Sequence, residues 1–101
     1  MSDMRPVFEA DRRVTHLPGQ NFIDTGLDDL ANRRETPEAL LVSIGAPRLR
    51  RLGLTVVHPF LHPERRLYDH LRRDHGDNAH SRYNALIRRL VSFERAAECV
   101  R

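Results

Sequence analysis

A chain of 101 residues makes one domain with a small core, because a domain this size buries less of its surface than a larger one. Its hydrophobic share of 40% and charged share of 31% favour short amphipathic helices that leave much polar surface outside. With Cys99 as the only cysteine there is no disulfide framework, no apolar run reaches transmembrane length, and the first residues lack a secretory core; the expectation is a cytoplasmic protein.

All 17 basic side chains are arginine. A GC-rich bacterial genome explains that usage, although planar guanidinium groups also suit bidentate recognition of phosphate or carboxylate. The charge is polarised along the chain. Residues 1–38 carry 5 Arg against 8 acidic groups, a net −3, and residues 39–101 carry 12 against 6, a net +6. An acidic front and a basic back can pair within the fold, across a homodimer, or with an anionic partner.

Residues 1–19 read as an extended arm, punctuated by Pro6 and Pro18-Gly19, with short apolar islands at Val7-Phe8 and at residues 14–17. A first helix follows, with Asn21 as its cap and Asp24 completing a capping-box-like arrangement. Phe22, Ile23, Leu27, Leu30 and Ala31 mark its buried side, and it ends near Arg33-Arg34. Gly26 lowers its helix propensity by about 1 kcal/mol, which a close helix contact would justify.

Thr36-Pro37-Glu38 is the sharpest local signal: a cap, a proline at the first helical position, and an acid in the first turn. The run at residues 39–44 is apolar nearly all round, so this helix is the central one. Gly45-Ala46-Pro47 interrupts it, and a further turn or two closes on Gly53. Residues 54–57 are β-prone but short, and read as a connector that tucks inward before Pro59. A third helix runs from Pro63 to Gly76, with Leu67, Tyr68 and Leu71 as its apolar offering and Arg65–Asp69–Arg73 as four-residue ion pairs. The last helix begins at Asp77, Asn78 or Ser81. Its stripe of Tyr83, Leu86, Leu90, Phe93, Ala97 and Val100, widened by Ile87, recurs at steps of three and four.

The fold expected is therefore mostly α: a small four-helix bundle over residues 20–101, its second helix kinked at Pro47, with the N-terminal arm. The alternative is α+β, with a small two- or three-stranded sheet from residues 5–17 and 54–57.

Candidate chemistry is sparse. HEPN-domain ribonucleases carry an arginine, four to six residues, then a histidine, a spacing that Arg65…His70 and Arg73…His80 match. In a chain this rich in Arg and His such matches arise by chance, and no family resemblance is drawn from them. His70, Asp74, His75, Asp77 and His80 crowd together, but a zinc site needs three or four converging ligands, so no metal or other cofactor is expected. There is no Gly-rich phosphate loop, nucleophile elbow or HExxH, and no catalytic residue is assigned.

What remains is an arginine surface. Arg65 and Arg72, Arg66 and Arg73, Arg82 and Arg89, and Arg88 and Arg95 are each seven apart, so each pair forms a short ridge on a helix face. These eight are the candidate binding residues. The function expected is that of a small non-enzymatic accessory, regulatory or antitoxin-like subunit that binds a protein partner or a second copy of itself, with no membrane involved. DNA or RNA binding through the last helix is the alternative, and a HEPN-like ribonuclease the second alternative.

Overall fold

The computed structural model describes residues 17–100, most of them in helices and none in a strand. In chain order these are α1 (Gln20–Ala31), α2 (Pro37–Ile44), α3 (Ala46–Arg51), α4 (Pro63–His75), a 3-10 turn (Gly76–Asn78) and α5 (Ala79–Val100). The expected arm over residues 1–19 lies, except for its last three residues, outside the described residues. The sheet alternative loses its downstream half: residues 54–57 are irregular, with Val56 buried and its carbonyl oxygen accepting from Arg50 Nη2 at 2.7 Å.

Everything is built around α2. Thr36 Oγ1 accepts the Ala39 amide at 3.1 Å, Pro37 opens the helix and Glu38 occupies the first turn, as the local signal predicts. Ala39, Leu40, Leu41 and Val42 are wholly buried, because α1, α3, α4 and α5 all contact this short rod. The segment expected as one kinked helix is two helices. Gly45 separates them, and Pro47 stands in the first turn of α3, where its missing N–H needs no partner.

The close contact anticipated at Gly26 lies between α1 and α2. A Cβ there would overlap the Glu38 carbonyl oxygen and come within 2.9 Å of Val42 Cγ1, so the backbones meet where no side chain fits. The cap of α1 differs from expectation. Gly19, left-handed at φ 76°, is the N-cap without a side-chain bond, while Asn21 is exposed inside the first turn. The early start follows from packing: Gly19 sits against Arg89, whose Cγ would lie 3.0 Å from an added Cβ.

The helix also ends earlier than the Arg33-Arg34 boundary. Arg33 takes the left-handed position at φ 59°, and the Arg34 and Arg33 amides return to the carbonyls of Asp29 (2.8 Å) and Leu30 (3.0 Å). This is the Schellman pattern, with arginine where glycine usually stands. The reversal brings a buried carboxylate to the joint. Asp29 Oδ2 accepts from Thr36 Oγ1 at 2.7 Å and Oδ1 from Arg34 Nη2 at 2.9 Å, so one acid links the end of α1 to the cap of α2. The Thr36 hydroxyl first, and the Arg34 guanidinium with it, hold the Asp29 carboxyl below the ordinary carboxylate range against the opposing effect of burial.

The connector to α4 is stapled by Ser43, whose Oγ donates to the Ala39 carbonyl at 2.9 Å and accepts the Phe60 amide at 3.1 Å. It turns at His58 and His62, both left-handed, and leaves Leu61 exposed. α4 then supplies buried Leu67 and Leu71, and its Tyr68 ring lies 5.7 Å from that of Tyr83 on α5. α5 is a single rod of 22 residues with Leu90 and Phe93 in the core. Two positions depart from its expected stripe: Val100 is 60% exposed beyond the last covering residue, and Glu94 is 5% exposed.

Two outcomes test this frame. Gly26→Ala gains about 1 kcal/mol of helix propensity but meets α2 backbone, so a net loss of about 1–3 kcal/mol is expected in urea unfolding. An alanine variant as stable as the parent contradicts the close approach. Asp29, its folded pKa lowered, contributes stability that is fully present above about pH 4 and is lost as pH falls through the folded value. Asp29→Ala is expected to lower stability by roughly 1.5–3 kcal/mol at pH 7, with the gap to the parent narrowing below about pH 4.

Candidate binding surface

All eight candidate arginines are exposed, but they do not form one surface. On α5, at about 100° per residue, Arg82 and Arg89 lie nearly in line along one edge of the buried stripe. Arg88 and Arg95 form a second line roughly 120° further round, facing away from the core. On α4, Arg66 is engaged: its Nη1 donates to Glu35 Oε1 at 2.9 Å, and its guanidinium lies 5.8 Å from the Phe60 ring centre. Arg65 and Arg73 are not paired with Asp69 among the described residues. Solvated four-residue pairs gain too little to hold both side chains in one geometry.

His70 is spoken for as well. Its Nε2 lies 3.0 Å from the other oxygen of Glu35, so this acid clasps one face of α4 through Arg66 and His70. Arg65 stands five residues before His70 and hence roughly 140° away around the helix, so the two do not converge on one phosphate. Arg73 and His80 are separated by the chain reversal at Gly76, φ 56°. Nor do three His, Cys, Asp or Glu side chains converge anywhere among the described residues. The crowded histidines disperse instead: His80 lies 3.3 Å from Asn84 Nδ2, its ring 6.4 Å from that of Tyr68.

The feature that sequence reading did not anticipate is a groove beside the Arg82–Arg89 ridge. It has a volume of about 280 Å³ and is lined by Phe22 of α1, Pro37 of α2, Leu71 and His75 of α4, and Arg82, Ala85, Leu86 and Arg89 of α5. Its floor is apolar, its rim carries two guanidinium groups and an imidazole, and no acidic side chain lines it. Arg89 is held at the rim by stacking, its guanidinium 5.2 Å from the Phe22 ring centre, which fixes a long side chain without neutralising it. Among the described residues Arg82 has no ion-pair partner. The apolar side of α1 that carries Phe22 and the α5 ridge are legible separately; their meeting depends on where the start of α1 reaches α5.

Comparison with known proteins returns no match: no family model, no curated protein and no solved structure corresponds to this chain. Among the described residues no helix is long and apolar enough to cross a membrane.

A second, more open groove of about 310 Å³ lies on the other side of α5, between Ile44, Pro47, Arg48, Ile87, Val91 and Glu94. Glu94 stands at its base, 3.9 Å from Arg48 Nη1. Burial raises its pKa, while Arg48 and Arg51 pull it back and Glu98 adds to the rise. A folded-state pKa above the unfolded one means the native protein binds the proton more tightly, so Glu94 lowers stability as pH rises through that interval. Glu94→Gln is therefore expected to be at least as stable as the parent at pH 7, and its advantage to vanish below about pH 4. A loss of about 1 kcal/mol or more at pH 7 contradicts this and makes the Arg48 pair a net stabiliser.

Proposed function

We propose that the protein is a small non-enzymatic, intracellular binding module, a four-helix bundle with α2 and α3 counted as one kinked element, acting as an accessory or regulatory subunit. The single observation that carries this is the Arg82–Arg89 ridge bordering an apolar groove. Guanidinium groups beside an apolar floor suit a partner that offers both carboxylate and apolar side chains, which is a protein surface. The antitoxin-like description follows from size and composition and takes the same mechanism, occupation of a partner's surface by a helical face.

The second reading, nucleic-acid binding, draws support from Arg88 and Arg95 on the outer face of α5. It is weaker because the two ridges point in different directions, whereas tracking a phosphate backbone favours one continuous basic face. A ribonuclease has less support still, since His70 is held by Glu35.

Affinity capture from the source cells, run beside a salt series with duplex DNA and single-stranded RNA, separates the readings. The expected result is a protein partner released by simultaneous Arg→Glu changes at Arg82, Arg88, Arg89 and Arg95, with no nucleic-acid binding at low salt. Nucleic-acid affinity that falls steeply with salt overturns the proposal in favour of the second reading. RNA cleavage abolished by His70→Ala overturns it in favour of the third.

A further inference from the structure

We propose that the groove beside Arg82 and Arg89 is a seat for an acidic amphipathic helix of a partner protein, which inserts one large apolar side chain between two carboxylates. This rests on the reading of the chain as a protein-binding module and adds the site and the chemistry of what fills it.

Three features of the groove select that occupant. Its volume of about 280 Å³ sits at the lower edge of the small-molecule range, about 300 Å³, so it admits a side chain more readily than a whole cofactor. Ala85 and Leu86 lie midway between Arg82 and Arg89, so the apolar floor is centred between the two charges. Seven residues along α5 separate those charges by roughly 10.5 Å, and a partner helix lying along α5 reproduces that distance with acids at i and i+7. The residue at i+3 or i+4 of such a helix then faces the floor. This is the helix-in-groove mode of recognition, with the anchor supplying affinity and the rim charges supplying orientation and selectivity.

Charge complementarity favours this occupant over the alternatives. Both guanidinium groups lack a carboxylate among the described residues, and Arg89 is already oriented by its stack on Phe22. A phosphate backbone would use the arginines but leave the apolar surface of Ala85 and half-buried Leu86 between them uncovered. An uncharged apolar segment would fill the floor but leave the arginines partly desolvated and unpaired, which is unfavourable.

The test uses the full chain and a fluorescein-labelled helical peptide of Ala and Gln carrying Glu at i and i+7 and Leu at i+4. Anisotropy is expected to report binding that weakens about tenfold in Arg82→Glu and is lost in Ala85→Arg, which fills the groove. The Arg82→Glu/Arg89→Glu protein is expected to bind instead the peptide with Arg at i and i+7. Arg88→Glu/Arg95→Glu, on the outer face, is expected to change affinity by less than about twofold. No binding to the parent protein, equal binding of a Leu→Gln peptide, or a loss that follows Arg88 and Arg95 each overturns the inference. So does sedimentation in which the parent is a dimer and Ala85→Arg a monomer, which would make a second copy the occupant. A captured partner protein released by Arg88→Glu/Arg95→Glu but retained by Ala85→Arg would remove this seat while leaving the broader proposal intact.

Discussion

Helix α2 is eight residues long and has almost no outside, and the rest of the molecule follows from that constraint. A helix apolar all round has to be enclosed, and enclosing so short a rod with so few residues requires neighbours on every side at close range. Gly26 allows α1 to come within backbone distance. α4 and α5 close the remaining sides with Leu67, Leu71, Leu90 and Phe93. The ends of α2 are tied by polar groups: Thr36 and Asp29 at its start, and Ser43 near its end, where one hydroxyl holds both the helix and the incoming connector. Each of these polar groups is buried or half-buried and partnered, as a small core with little apolar surplus demands.

The same enclosure decides what is left outside. Because α5 is pressed apolar side down onto α2 and α4, its arginines are sorted by their position around the rod. Those beside the stripe, Arg82 and Arg89, border a groove whose apolar lining comes from α5 itself and from three other helices. Those opposite the stripe, Arg88 and Arg95, meet only solvent among the described residues. A chain with one type of cation thus presents two different cationic surfaces, and the first borders the groove lined by Phe22, Leu71 and Leu86. That asymmetry is the physical basis for preferring a protein partner to a phosphate backbone.

Much of this architecture could be read from residues alone, where the signal is local. The Thr36-Pro37-Glu38 start, the interruption near Gly45, the Pro63 and Gly76 boundaries and the α5 stripe as far as Ala97 each depend on a cap, a fixed φ or a period, and each is found where those rules put it, although the interruption makes two helices rather than one kinked one. Most of the misreadings are tertiary. Asn21 looks like a cap, but packing against Arg89 moves the helix start to Gly19. Residues 54–57 have strand-forming side chains but no strand beside them among the described residues, and Arg50 takes the carbonyl a ladder would use. Asp29 and Glu94 are buried although acidic residues usually face water, one because a reversal at Arg33 brings it to the Thr36 hydroxyl, the other because it lies against Gly45 and beside Arg48. The arginine pairs were visible as ridges. Which ridge borders a groove depends on where the start of α1 meets α5, and no local pattern encodes that.

The most direct test of this arrangement is the set of nuclear Overhauser contacts in solution between Gly26 Hα and the Val42 methyl groups, and between the Phe22 ring and the Arg89 side chain. The enclosure of α2 and the position of the Arg82–Arg89 ridge both require these contacts to be present together. Helical chemical shifts throughout residues 20–100 with neither contact observed would mean that the helices exist but do not close around α2, and the groove would disappear with them.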